Sequence, residues 1–148
     1  LERLRREDRT AMREHALTMI KDLDIRCTGP QQIVRHLSGG NQQKVCLARA
    51  LTMKPDIVWA SEPTRGIDIV AKQLILDYLV RCSREGGMTI VMTSSELGEL
   101  RRICDRIVIM YEGRISGILP PDASDMEFGM MMAGKYQSGK GVGIDGMA

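Results

Sequence analysis

The chain has 148 residues, room for one ordinary domain at most. Its 43% hydrophobic and 27% charged residues are the balance of a folded water-soluble chain and exclude a wholly disordered one; no window nears the roughly 18 uninterrupted apolar residues of a membrane-spanning helix. A net charge of +2, from 21 basic and 19 acidic residues, is too weak a field to argue for nucleic acid.

The opening Leu1-Glu2-Arg3-Leu4-Arg5-Arg6-Glu7-Asp8 alternates in charge, lacks the apolar stretch of a signal peptide and starts without Met, so a piece of a longer protein is expected. Met12, Ala16, Met19, Ile20 and Leu23 recur at three- and four-residue steps and predict an amphipathic helix over residues 7–23, broken by Thr28-Gly29-Pro30. Ser38 is a good N-cap for a second helix through Val45, Leu47, Ala48 and Leu51 to Met53, closed by Lys54-Pro55. The apolar run 57–60, before Ser61-Glu62-Pro63, suits a buried strand feeding a functional loop, with Trp59 in the core. A long helix follows, with one face marked by Ile67, Val70, Ala71, Leu74, Ile75, Tyr78, Leu79 and Cys82 and an end at Gly86-Gly87. Residues 88–92 read as the next buried strand, 96–104 as a short helix, and 106–111 with 114–119 as a hairpin around Glu112-Gly113. Ser124 caps a last helix over 125–133, and the tail from Gly134, with five glycines in fifteen residues, is expected to be flexible.

Strand, helix, strand, helix, strand is the rhythm of an α/β fold with a parallel sheet. The expected organisation is a partial helical subdomain over 1–53, the carboxy-terminal part of a sheet core over 54–133, and the tail over 134–148. Cys27, Cys46, Cys82 and Cys104 form no CxxC pair, and three lie in apolar helical patterns, so buried reduced thiols in a cytosolic setting are expected and no metal site is. Five aromatic and eleven Met residues point to an aliphatic and Met core. His15 and the pair Arg101 and Arg102 read as solvated; for His36, which precedes the Ser38 turn, a plain surface role is the first reading and reach to a phosphate there the alternative.

The most informative segment is Leu37-Ser38-Gly39-Gly40-Asn41-Gln42-Gln43-Lys44. Two glycines directly after a Ser N-cap are wasteful in a helix start, at about 1 kcal/mol each against Ala. They make sense where backbone N–H groups, a hydroxyl and the positive end of a helix dipole converge on an anion. A plain glycine-rich turn is the alternative.

That string resembles the signature motif of ABC-type ATPases, and the downstream order is similar. The resemblance spans residues 35–119 and makes the run 57–60 the end of the Walker B strand, Glu62 the catalytic glutamate, Gly66-Ile67-Asp68 the D-loop and Thr93-Ser94-Ser95-Glu96-Leu97 the switch loop. It implies a partial P-loop NTPase domain whose parallel sheet core is preceded by part of the helical signature subdomain. Asn-Gln-Gln-Lys after the glycines, Glu-Pro-Thr-Arg-Gly-Ile-Asp, Ser-Ser-Glu-Leu and Tyr-Glu-Gly-Arg-Ile-Ser-Gly look like the second ATPase domain of tandem-domain importers for simple sugars.

Three departures qualify the resemblance. A Walker A loop, GxxxxGK[ST], has one decoy here, 134–140, which Gly141 follows where the hydroxyl residue belongs; the true loop is expected upstream. Ser61 stands where the family places the Mg²⁺-binding Asp, and Ser95 where it places the switch His. The resemblance therefore implies a degenerate site of its own, while Ser38, Gly39, Gly40 and Gln42 complete an ATP site in an opposing ATPase domain and Asp68 reports between the sites. A helix N-terminal residue favoured by the dipole is the plainer reading of Asp68. ATP and Mg²⁺ are the implied cofactors of the full assembly. The implied partners are a second ATPase domain in the same chain or a dimer, a transmembrane permease and, indirectly, a periplasmic or extracellular sugar-binding protein; the implied place is the cytoplasmic membrane face, and no nucleic acid is expected. A nucleoside or other small-solute importer and a non-catalytic regulatory or remnant module remain open. A chromosome- or repair-associated ATPase would keep Asp-Glu and the switch His and carry coiled-coil arms.

Overall fold

The computed structural model describes residues 9–135. Residues 7–8 of the expected first helix and residues 136–148 of the glycine-rich tail, including most of the Walker A decoy, lie outside the described residues. The chain divides into two compact units, Leu1–Thr93 and Ser94–Ala148.

In the first unit, α1 (Arg9–Asp22) ends before the Gly-Pro break, where Asp24 takes a left-handed φ of 47°. Helix α2 (Gly39–Thr52) follows a short 3-10 turn and stops where Lys54 also turns left-handed. Strand β1 (Ile57–Ser61) pairs in parallel with β2 (Thr89–Thr93), with Trp59 opposite Val91, and α3 (Ile69–Arg84) joins them. That strand–helix–strand unit is the α/β element expected, and a parallel pair needs such a crossover. Gly86 closes α3 because a side chain there would meet the Cys82 carbonyl at 2.6 Å.

Two apolar clusters hold this unit. Leu23, Ile25 and Ala48 pack with Met19, Ile20, Val45, Leu74 and Tyr78, which fastens α1 to α2 and α3. Leu51, Val58 and Ala60 pack with Leu47, Cys82 and Ile90, which seats one face of the β1–β2 pair on the helices. The expectation of two-sided burial fails here. Strand β1 alternates exposed and buried, β2 holds no fully buried residue, and Trp59 is 71% exposed beside exposed Ile57. Trp59 is thus not a core residue: the strand's period of two turns it to the face opposite Val58 and Ala60. The thiols also depart from expectation. Cys46 is exposed, and Cys27, Cys82 and Cys104 are half-buried; burial still pushes the Cys82 and Cys104 thiols up.

The second unit contains α4 (Leu97–Ile103), the antiparallel pair β3 (Ile107–Tyr111) and β4 (Arg114–Leu119), and α5 (Asp125–Met132). Glu112 and Gly113 both take positive φ, 47° and 75°, the geometry of a tight two-residue hairpin turn. Ser124 and Glu127 form a reciprocal capping box at the start of α5. Ile107, Ile109, Leu119, Phe128 and Met131 make the core. Arg101, expected on a solvent face, is instead part of this packing: its guanidinium lies 4.7 Å from the Phe128 ring centre, donates to the Ala123 carbonyl at 2.9 Å and pairs with Asp125 at 2.7 Å. Arginine's planar cation stacks on an aromatic face while its fork bonds at the rim.

Candidate functional site

The turn at Ser38 opens α2 without a side-chain cap. The first helical rung runs from the Gln42 N–H to the Ser38 carbonyl, 2.9 Å, so the N–H groups of Gly39, Gly40 and Asn41 stand ahead of the ladder. The Ser38 hydroxyl accepts from the Asn41 amide at 2.8 Å, and the Asn41 carbonyl oxygen accepts from the Arg26 N–H at 2.9 Å. Asn41 thereby pins the turn to the segment after α1. Gln42 is exposed, with its amide on the Leu37 carbonyl at 2.8 Å.

Neither glycine serves the chain internally. Both have ordinary helical φ, a side chain at Gly39 would meet nothing within 4 Å, and one at Gly40 would reach Ile67 only at 3.8 Å. Among the described residues no contact offsets their cost to the helix.

The loop after β1 carries Glu62 in a left-handed conformation, φ 46°, where a non-glycine residue is strained. Its N–H donates to the Thr93 carbonyl at 2.9 Å, and its own carbonyl accepts from the Arg65 N–H at 3.2 Å. Exposed Ser61 lies beside Thr93, whose hydroxyl donates to the Ser61 oxygen at 3.1 Å. Asp68 caps α3 and accepts from the Val70 and Ala71 N–H groups at 3.1 and 3.0 Å. The Ala71 N–H chiefly holds its carboxyl below the ordinary aspartate range; the Val70 N–H and the charge of Lys44 add to this, against a smaller effect of desolvation. Ser95, exposed, belongs to the second unit. There the Ser94 hydroxyl accepts from the Glu96 N–H at 3.0 Å and donates to Glu99 at 2.9 Å. His15 and His36 are both exposed, and His15 meets the Thr52 hydroxyl at 2.8 Å.

Two residues of the site were not singled out from sequence. Gln43 donates its amide to the Glu62 and Pro63 carbonyls at 3.1 and 2.8 Å, and buried Lys44 donates to the Asp24 carbonyl at 2.8 Å. The signal was present. Gly40, Gln43, Lys44, Leu47, Ala48 and Leu51 follow the three-and-four spacing of one helix face, and two polar residues on that apolar stripe mark buried hydrogen bonding. The described residues hold no group of three His, Cys, Asp or Glu side chains able to bind a metal. The end of β1 presents the neutral hydroxyls of Ser61 and Thr93, followed by the Glu62 carboxylate.

No helix among the described residues is long and apolar enough to cross a membrane. The profile of the family described as ABC transporter matches residues 2–65. The chain is 38% identical over 125 residues to the galactose/methyl galactoside import ATP-binding protein MglA of Treponema pallidum, covering 84% of this chain and 25% of that protein. It is 45% identical over 114 residues to the ribose import ATP-binding protein RbsA of Clostridium perfringens, covering 77% of this chain and 23% of that one. The chain thus spans about a quarter of the length of these relatives. In structure it is similar to the ATP-binding cassette MJ0796, solved as a dimer in a post-hydrolysis state with ADP and Pi: TM-score 0.73, 26% identity, 82% of this chain and 52% of that one. Profile, relatives and fold agree, and the chain belongs to the ATPase domains of ABC transporters.

Proposed function

We propose that this chain is part of the ATP-binding, energy-coupling component of a simple-sugar importer, and that its signature turn completes an ATP site in an opposing ATPase domain. The observation that carries the reading is the unused room at Gly39 and Gly40 on the open end of α2. Three N–H groups, the Ser38 hydroxyl and the helix dipole suit an incoming phosphate, and fixed donors of this kind act by stabilising charge on the transferred phosphoryl group. The sugar assignment rests on the relatives, whose names are galactose/methyl galactoside and ribose import ATP-binding proteins. The dimeric state of the similar cassette supports an opposing domain as partner. A permease, an external sugar-binding protein and a place on the cytoplasmic membrane face complete the proposed assembly.

The chain's own site is degenerate in this reading. Glu62 is retained as a base able to polarise water, but Ser61 offers no charge to Mg²⁺ and Ser95 no imidazole. The ATP and Mg²⁺ that turn over belong to the opposing site, and Asp68 lies on the path between the two. The test is a pair of substitutions in the assembled transporter ATPase. Ser38→Arg, which fills the open turn, should abolish sugar-stimulated hydrolysis with the chain still folded, while Glu62→Gln should cost much less. Equal losses would overturn the asymmetric reading.

A further inference from the structure

The helix that carries the signature turn is tied to the loop carrying Glu62 by one side chain. The Gln43 amide lies 3.1 Å from the Glu62 carbonyl oxygen and 2.8 Å from that of Pro63, and both contacts are partly buried. Two carbonyls face it, so only the NH₂ end of the side chain fits there. The residue whose carbonyl it grips is the strained one, Glu62 at φ 46°, and such a conformation persists only where its surroundings over-determine it. The same face of α2 approaches the loop elsewhere: Gly40 borders Ile67, and the Lys44 charge acts on Asp68.

We propose that Gln43 is a positioning residue that locks the Glu62–Pro63 backbone to the signature helix, so that the Ser38 turn and the loop from Glu62 to Asp68 move as one body. This deepens the function proposed above and rests on it for its catalytic consequence, although the lock itself is a property of the chain alone. Phosphate engaged at Ser38 would then shift Glu62 and Asp68 together with the helix.

The test compares Gln43→Ala with Gln43→Glu. Alanine deletes the donor. Glutamate keeps the size but turns an acceptor toward two carbonyl oxygens, so it should be the more damaging of the two, with recovery as acid protonates the introduced carboxyl and restores an O–H donor. The first readout is amide hydrogen exchange on the whole 148-residue chain. The Glu62 and Arg65 N–H groups, bonded to the Thr93 and Glu62 carbonyls, should exchange roughly tenfold faster in Gln43→Ala, with α1 and the far end of α2 unchanged. The second is the ATPase of the assembled transporter, where kcat should fall roughly fivefold to tenfold with the KM for ATP within about twofold. Uniform acceleration of exchange would mean general destabilisation and would overturn the lock. So would a glutamate variant that matches wild type at neutral pH, because a space-filling role predicts that result. If exchange responds as expected while Ser38→Arg leaves hydrolysis intact, the lock stands and the signature reading falls.

Discussion

Replacing Gly39 by alanine should raise stability and lower activity. Gly39 is the first residue of α2, has ordinary helical φ, and has no heavy atom within 4 Å of where its β-carbon would stand. Nothing in the folded chain resists the methyl group, and the unfolded chain loses freedom. The gain is about 0.5–1 kcal/mol, the range for a glycine-to-alanine change at a compatible position. At roughly 2–4 °C per kcal/mol for a chain of this size, the melting temperature should rise by about 1–4 °C. The same methyl group enters the open space where the proposed function places the incoming phosphate, so hydrolysis by the assembled transporter should fall at least about tenfold. Thermal and urea melts of the chain measure the first effect, and steady-state phosphate release measures the second. A destabilised Gly39→Ala would show an internal role for the glycine that the geometry denies. A stabilised variant with full ATPase activity would show that nothing lands on the turn. Either result refutes the reasoning.

Asp68→Asn keeps an acceptor at the α3 cap but removes the charge. Because the Asp68 carboxyl is held below its ordinary range in the folded chain, its contribution is present above the unfolded value and is lost as pH falls through the folded one. The variant should therefore melt lower than wild type at neutral pH, and melting curves taken across the acid range should converge below the folded pKa. Lys44→Met fills the same space but leaves the Asp24 carbonyl without its donor at 2.8 Å; urea melts should show a loss of about 1–3 kcal/mol. Phe128→Ala empties the core of the second unit, where the ring is 1% exposed. Denaturant melts should show a loss of about 3–5 kcal/mol, and hydrogen exchange should place the loosening in β3 and β4.

How much of this was legible in the sequence depends on whether a residue's partner is a pattern or a particular atom. Helices α2 and α3 and the β3–β4 hairpin could be placed from periodicity, the Ser38 start, the Gly86-Gly87 stop and the Glu112-Gly113 turn, because each signal is local and its physics is complete within a few residues. Burial was less legible. The run Ile57-Val58-Trp59-Ala60 is apolar at every position, and such a run says that a strand is comfortable in a core without saying whether one face or both is covered. The structure covers the Val58–Ala60 face alone. Arg101 misled in the opposite direction: its charge reads as solvent-facing, yet its guanidinium lies over the Phe128 ring with the two terminal nitrogens bonded to Ala123 and Asp125.

The site divides in the same way. Ser38, Ser61, Glu62, Asp68 and Ser95 could be singled out because a motif compares side chains with side chains, and a neutral serine in an acidic or imidazole position stands out. Gln43 shows in the sequence only as a polar residue on an apolar stripe, and its partners do not show at all, because they are the carbonyl oxygens of Glu62 and Pro63, which every residue possesses. Nor is the strain at Glu62 visible in the letters Glu-Pro-Thr: it arises where a residue with a β-carbon follows β1 yet must turn left-handed, and its carbonyl then points back toward α2. Glu62 remains a candidate base through its carboxylate, but its placement depends on its own carbonyl oxygen, held by a side-chain amide nineteen residues upstream. A substitution at Gln43 changes no charge, no nucleophile and no motif glycine. Its effect on the ATPase therefore separates catalysis by side-chain chemistry from catalysis by held geometry.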